Sequence, residues 1–431
     1  MTRTALDGGP AARLEALLGE RTEANRRFFA EESERLARLC HLMAERFARS
    51  GRLVAFGRSP AARSDARHVA VEFVHPVIVG KRALPAIGLA GEGGDLVTQV
   101  ELVARPEDIA IAFGTDEDGG EAARALAAAR RRGCLTIAFS PAGAEWEFRP
   151  PSDDPYLRQE LIETLYHVLW ELVHVFFDHR GLLEGREARR THDTGASSFL
   201  YPFLGEQEHD LEAVVDDVRR SALMKAEEIG ELRHQTLTEN RDVLVAAATA
   251  LRGSLDHGGQ LLALGNGGSA TDAMDAVADF RSPAGSRRAW PALDLTEDAS
   301  ILTAIANDIG TDAIFSRQVI AYGRRGDALL ALSTSGNSRN VIEALAEARR
   351  RELLTIAMVG YDGGRVAGEA LANHVIVTRS EHIPRIQEAQ ASAYHALREL
   401  VELVELVGGS GGVGGAQSGG EGIDGGAGGD A

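Results

Sequence analysis

The feature that most constrains this chain is that it matches itself. Phe113-Gly-Thr-Asp-Glu-Asp-Gly119 aligns with Leu332-Ser-Thr-Ser-Gly-Asn-Ser338, and Cys134–Ala138 with Leu353–Ala357. Gln159-Glu160 and Tyr166-His167 align, at equal spacing, with Gln387-Glu388 and Tyr394-His395. Asp65–Phe73 aligns with Asp272–Phe280. The matches keep the same order in both halves, which a shared composition alone does not produce. Within each half, short apolar runs such as Leu53–Phe56 and Leu261–Leu264 alternate with stretches of helical period. That alternation predicts an α/β chain of two tandem modules, each a mostly parallel sheet with helices on both faces. The expected division is 1–180, a linker over 181–207, and 208–407. The glycine-rich stretch 408–431 buries too little to offset its ordering entropy and is expected to be disordered.

The halves differ where chemistry would sit. In the second half, Ser333-Thr-Ser-Gly-Asn-Ser338 lies between the strand-like Ala328–Leu332 and the helix-like Asn340–Arg350. The N-terminus of a helix offers free N–H groups and a positive dipole end, and the hydroxyls add donors without charge. A phosphate ester is the simplest ligand. Gly265-Asn-Gly-Gly-Ser269 is a second strand-to-helix turn whose glycines admit close approach. Ala270 breaks the G-x-G-x-x-G pattern, so no nucleotide cofactor is expected. The first half carries Asp116, Glu117 and Asp118 instead, which would repel a phosphate. One phosphate site per chain follows, in the second half. The net charge of −18 argues against nucleic-acid or anionic-membrane binding. Two cysteines, Cys40 and Cys134, suggest no disulfide framework and no thiolate metal site. No apolar run reaches spanning length, and the expected location is cytoplasmic.

Asp275 and Asp279 stand four apart on one helix face, and Gln387 and His395 eight apart on another. Their counterparts are His68, Glu72, Gln159 and His167. A carboxylate and an imidazole facing a sugar phosphate suit proton transfer between adjacent carbons. His, Glu, Gln and His could equally hold a zinc ion.

From roughly Glu208 to Val407 the sequence resembles the phosphoheptose isomerases of the SIS (sugar isomerase) superfamily. The carrying residues are Gly265–Ser269, Asp272-Ala-Met274, Leu302–Asp308, Phe315-Ser-Arg-Gln318, Gly326-Asp327, Ser333–Ser338, Asp362-Gly-Gly364 and Arg385-Ile-Gln-Glu388. The resemblance implies flavodoxin-like αβα sandwich modules and interconversion of sedoheptulose 7-phosphate and glycero-manno-heptose 7-phosphate through an enediol. It implies phosphate and substrate contacts from Ser269, Ser333, Thr334, Ser335 and Ser338, with Gly267 and Gly268 in the turn. Asn266 and Asp308 match substrate-loop positions. It implies Asp279 as base, His395 as acid, and a metal at Asp275, Asp279, Gln387 and His395. Asp275 and Asp279 stand where the family has histidine and glutamate, whereas His68, Glu72, Gln159 and His167 preserve the family's quartet. Two readings stand: a shared site in which Glu72 and His167 act on a ligand gripped by the second half, or an inherited remnant in the first. The rival function is a non-catalytic regulator that binds a sugar phosphate. The duplication suggests a homodimer of two-module chains.

Overall fold

The computed structural model describes residues 9–77, 81–91, 94–115, 119–178, 210–285 and 287–404. Asp116–Asp118, the expected linker and the glycine-rich tail lie outside the described residues. The chain opens with one long helix, α1 (Gly9–Ala48), and then alternates: β1 (Leu53–Phe56), α2 (Pro60–Val74), β2 (Ala86–Leu89), α3 (Leu96–Val103), β3 (Ile109–Ala112), α4 (Glu121–Arg131), β4 (Leu135–Ala138), β5 (Trp146–Glu147) and α5 (Pro155–Asp178). The second half follows with α6 (Leu211–Glu239), α7 (Arg241–Asp256), β6 (Leu261–Leu264), α8 (Gly268–Arg281), β7 (Ala292–Asp294), α9 (Ala299–Asp308) and α10 (Ser316–Tyr322). It closes with β8 (Ala328–Ser333), α11 (Arg339–Arg350), β9 (Leu354–Val359), α12 (Gly364–Gly368), β10 (His374–Val377) and α13 (Ile383–Leu403). None of the described helices is long and apolar enough to cross a membrane.

The strands form two five-stranded parallel sheets with one order, β2-β1-β3-β4-β5 and β7-β6-β8-β9-β10. The central strands pair alike: Leu53 lies beside Ala86 and Ile109, and Leu261 beside Ala292 and Ala328. Both are wholly apolar because each sheet is covered on both faces. Leu53 and Ala55 point into one core while Val54 and Phe56 point into another. Leu261 and Ala263, against Leu262 and Leu264, divide the same way. In the second half the inner face is covered by α7, α8 and α13, and the outer by α10 and α11.

Two long helical stretches of the second half are interrupted. The stretch 208–252 is broken at Asn240, whose side chain bonds both the N–H and the C=O of Val377 at 3.0 Å. That bond anchors the α6–α7 junction to β10. The stretch 300–322 divides at Gly310, whose φ of 127° no side-chain-bearing residue adopts easily. The long helices also span both halves. α1 sends Leu14 and Leu18 into the second-half core and Phe28 onward into the first. α6 sends Val214, Val215 and Val218 into the first-half core and Leu237 into the second.

Between the halves lies a buried ionic network. Glu160 of α5 accepts from Arg21 Nε through both oxygens at 3.0 Å, from Ser392 at 2.5 Å, and pairs with His395 Nδ1 at 3.0 Å. Burial alone would raise the Glu160 carboxyl, but Arg21 and His395 hold it well below the usual range. A depressed carboxylate stabilises the fold above its unfolded value and loses that contribution as pH falls. Stability is therefore expected to decline with acidification below 4.5, the ordinary glutamate value. Arg21→Ala strands Glu160 without its main countercharge and is expected to cost about 3–5 kcal/mol in urea unfolding at neutral pH. The same variant should flatten the acid dependence; an unchanged urea midpoint would remove the network from the stability account.

Candidate active site

In a sheet of this order the chain leaves its first strand in one direction and its third in the other, which opens a crevice at their carboxyl ends. In the second half those ends are β6 and β8, followed by Gly265–Ser269 and Ser333–Ser338. Gly267 takes φ 58° and Gly336 φ 61°, the conformations that the two turns require. α8 and α11 begin there, and neither first turn is closed by a side-chain cap. Ser333 Oγ accepts from the Gly336 N–H and Ser335 Oγ from the Asn337 N–H, both at 3.2 Å, which fixes the loop. A reciprocal amide pair, Asn266 with Asn340 at 3.0 and 2.9 Å, ties the two turns together. Asp308 lies apart, exposed at the end of α9 and bonded to Asn307 at 2.8 Å.

What faces the first of these turns comes from both halves. A β-carbon added to Gly268 would lie 1.8 Å from Gln387 Nε2 and 2.9 Å from His68 Nε2. The turn that resembles a phosphate loop therefore abuts the first half's histidine. His68 bonds Tyr166 Oη through Nδ1 at 3.0 Å, and its Nε2 stands 3.3 Å from both His167 Nε2 and Gln387 Nε2. His167 Nδ1 bonds Glu388 at 3.0 Å. Burial, with His167 beside it, holds the His68 imidazole neutral, so the 3.9 Å approach of Glu72 is no ion pair. Burial pushes the Glu72 carboxyl up to about 7.

The expected groupings change in one respect: the glutamines trade places. Gln387 joins His68, Glu72 and His167, while Gln159 lies toward Asp275 and lines a cavity with Asp279. α5 and α13 pack across the interface, so that Gln387 faces α2 and Gln159 faces α8 of the other half. Asp275, Asp279, His395 and Gln159 form the opposite cluster. His395 Nε2 lies 3.4 Å from Asp279 and 3.8 Å from Asp275, and Tyr394 bonds Asp275 at 2.9 Å. Burial opposes protonation of His395, but Glu160, Asp279 and Asp275 together raise it. Asp279 lines a cavity of about 280 Å³ beside Ser59, Phe113, Gly114 and Tyr156, the first half's own crevice. There Ser59 already caps α2 through the Ala62 N–H at 3.2 Å, and Pro60 has no N–H to offer. Glu121, in the first turn of α4, bonds the Leu96 N–H at 2.9 Å and Arg58 at 3.2 Å. In the first half Ser59 thus occupies the start of α2, while Glu121 reaches from α4 to the start of α3 and to Arg58. Asp275 and Asp279, expected beside the second-half phosphate loop, are set against this other crevice instead.

A SIS-domain family model matches residues 226–360. The phosphoheptose isomerase of Pelodictyon phaeoclathratiforme is 44% identical over 171 residues, 39% of this chain and 80% of that protein. The phosphoheptose isomerase of Desulfovibrio desulfuricans is 45% identical over 167 residues, 38% of this chain and 79% of that protein. The chain belongs to the phosphoheptose isomerase family. Among solved structures, tagatose-6-phosphate ketose/aldose isomerase from Escherichia coli aligns over 94% of both chains with a TM-score of 0.52 at 14% identity. The C-terminal domain of glucosamine-fructose-6-phosphate aminotransferase from Francisella tularensis covers 90% of this chain and 94% of its own, with a TM-score of 0.56 at 9% identity. These two share the fold across both halves, whereas the phosphoheptose isomerase sequences align with less than half of this chain.

A divalent metal in the family's manner needs nitrogen and oxygen donors with free lone pairs. Around His68 the buried Glu72 Oε2 and Gln387 Oε1 have no hydrogen-bond partner, and each imidazole is already anchored through Nδ1. Those residues fit such an ion. Glu160, Glu388, Tyr166 and Tyr394, which orient the two clusters, went unread in the sequence except as markers of the repeat. Their adjacency to each glutamine and each histidine was the available signal. Gly268→Ala is expected to displace Gln387 and His68 and to cost about 1–3 kcal/mol. Thermal unfolding together with histidine NMR shifts checks this, and unchanged His68 resonances would mean that the turn and the imidazole are not in contact.

Proposed function

We propose that the chain is an aldose–ketose isomerase that interconverts sedoheptulose 7-phosphate and glycero-manno-heptose 7-phosphate at one composite site. The carrying observation is the contact of the intact phosphate-type turn at Gly268 with His68 of the other half. Ser269, Ser333, Thr334, Ser335 and Ser338, with the N–H groups of α8 and α11, bind the phosphate. Such uncharged donors hold an anion without a lysine or arginine to compete for it. Asn266 meets sugar hydroxyls near the turn, and Asp308 does so once α9 is drawn to the ligand. Glu72 takes the proton from one carbon and returns it to the neighbouring one through an enediol, while the hydroxyl proton passes from one sugar oxygen to the other, so that no proton is gained or lost overall. A carboxyl held near 7 is ionised often enough to accept the proton and acidic enough to give it back. His68, His167 and Gln387 are the residues that would hold a divalent cation such as zinc. When bound, that ion supplies Lewis acidity to the sugar oxygens. Asp279 and His395 belong to the opposite cluster and are assigned no proton transfer.

A regulator that binds the sugar phosphate without turnover is the reading that the Asp275/Asp279 pair would favour. Asp279 of that pair lines the crevice of the first half, so the pair does not weigh against catalysis at the other. Glu72→Gln is expected to lower kcat for sedoheptulose 7-phosphate by about 10²–10⁴-fold, the usual worth of a positioned acid–base group. Asp279→Asn should change it less than about threefold, since a change outside the reacting geometry leaves the barrier alone. The reverse pattern would move the site to the second half alone, and binding without turnover in the parent protein would favour the regulator. Ser335→Asp places a carboxylate in the loop and should abolish sugar-phosphate binding by calorimetry; retained binding would remove the phosphate assignment.

A further inference from the structure

One buried carboxylate beside His68 and His167 takes no part in the proton transfer above: Glu163. It lies on α5, one turn after Gln159 and one turn before His167, so all three project from one face. Its side chain is buried, and Oε1 has no hydrogen-bond partner. The ligand atoms of His68, Glu163 and His167 lie within 4.8 Å of one another, the compact set of its kind among the described residues. Glu72 falls outside that set, although it approaches His68 Nε2 to 3.9 Å.

The spacing of the donors is informative. Two donors bound to a tetrahedral zinc at about 2.0–2.1 Å stand about 3.3–3.4 Å apart. His68 Nε2 lies 3.3 Å from His167 Nε2 and 3.3 Å from the Gln387 amide, whose Oε1 is unpartnered. A half-turn of that amide exchanges its two atoms. The two imidazoles meet through their Nε2 atoms while their Nδ1 atoms are held by Tyr166 and Glu388. They leave room for a cation beside the buried carboxyls of Glu72, Glu163 and Asp272, Glu388 being already paired with Arg385. The opposite cluster lacks this set. The counterpart of Glu163 is Ala391, and the counterpart of His68 is Asp275.

We propose that a divalent cation is held by His68, His167 and Glu163 with Gln387 as fourth donor, and that Glu163 takes the ligand role resemblance would give to Glu72. The carboxylate of Glu72 is then left unbound beside the substrate. This deepens the composite-site reading, which it assumes only for where the sugar binds, and the cation is measured with no sugar present.

The test uses the full chain stripped with a chelator and titrated with Co²⁺, read by its tetrahedral absorption bands, and with Zn²⁺ by calorimetry. One ion per chain is expected. Glu163→Gln should weaken binding by about 100-fold or more, since even indirect partners of a metal site are worth 10–100-fold. Glu72→Gln should change it less than about threefold. Glu163→Asp, which keeps the charge one methylene back, should fall between, and circular dichroism of each stripped variant establishes that it is folded. Weakening by Glu72→Gln with Glu163→Gln unaffected, or no cation uptake by the parent chain, overturns the proposal. Full cation binding without isomerase activity leaves it standing and removes only the catalytic reading.

Discussion

The arrangement depends on a reciprocal pair of hydrogen bonds: Glu388 of the second half fixes His167 of the first, and Glu160 of the first fixes His395 of the second. A histidine offers its Nε2 for chemistry only when its other nitrogen is held, because the partner of Nδ1 sets both ring angle and tautomer. Here each ring takes that partner from the opposite half. His167 and His395 therefore each depend on the opposite half, whereas His68 is held by Tyr166 of its own half. Removing one carboxylate disturbs the active group of its neighbour and leaves a buried charge uncompensated. Arg21 and Arg385 supply that compensation, each pairing with the glutamate that faces a histidine.

Around this exchange the halves have diverged in complementary ways. The second half keeps open helix ends and hydroxyl-bearing turns, while its helix α8 carries two aspartates in place of histidine and glutamate. The first half keeps His68, Glu72 and His167, while Ser59 and Pro60 close the start of α2. Because the pairing crosses the interface, the two conserved sets meet on one side and the two altered sets on the other. Under the proposed composite site, a loss on one module is tolerated when it falls in the crevice assigned no ligand.

Much of this was legible in the sequence. The wholly apolar Leu53–Phe56 and Leu261–Leu264 announce strands covered on both faces, and the repeat announces two similar sheets. The turns at Gly265 and Ser333 could be placed because glycine and hydroxyl residues between a strand and a helix mark the helix start, whether they serve as caps or as donors to an anion. What could not be read was the exchange of Gln159 and Gln387. Chain order records which residues share a helix face but not which neighbouring helix that face meets. Glu163 carries no signal in the repeat, because its counterpart is Ala391. The position of the break at Asn240 is set by a strand 137 residues away, which local sequence does not record.

The long helices α1 and α6 each belong to both hydrophobic cores. A site divided between separate subunits exists only at concentrations where they associate. On a single polypeptide the same halves meet at an effective concentration set by the chain, whatever the dilution. The interface is thereby freed from having to recognise an identical copy of itself. Once that symmetry is no longer enforced, each side of the molecule can specialise without spoiling the other.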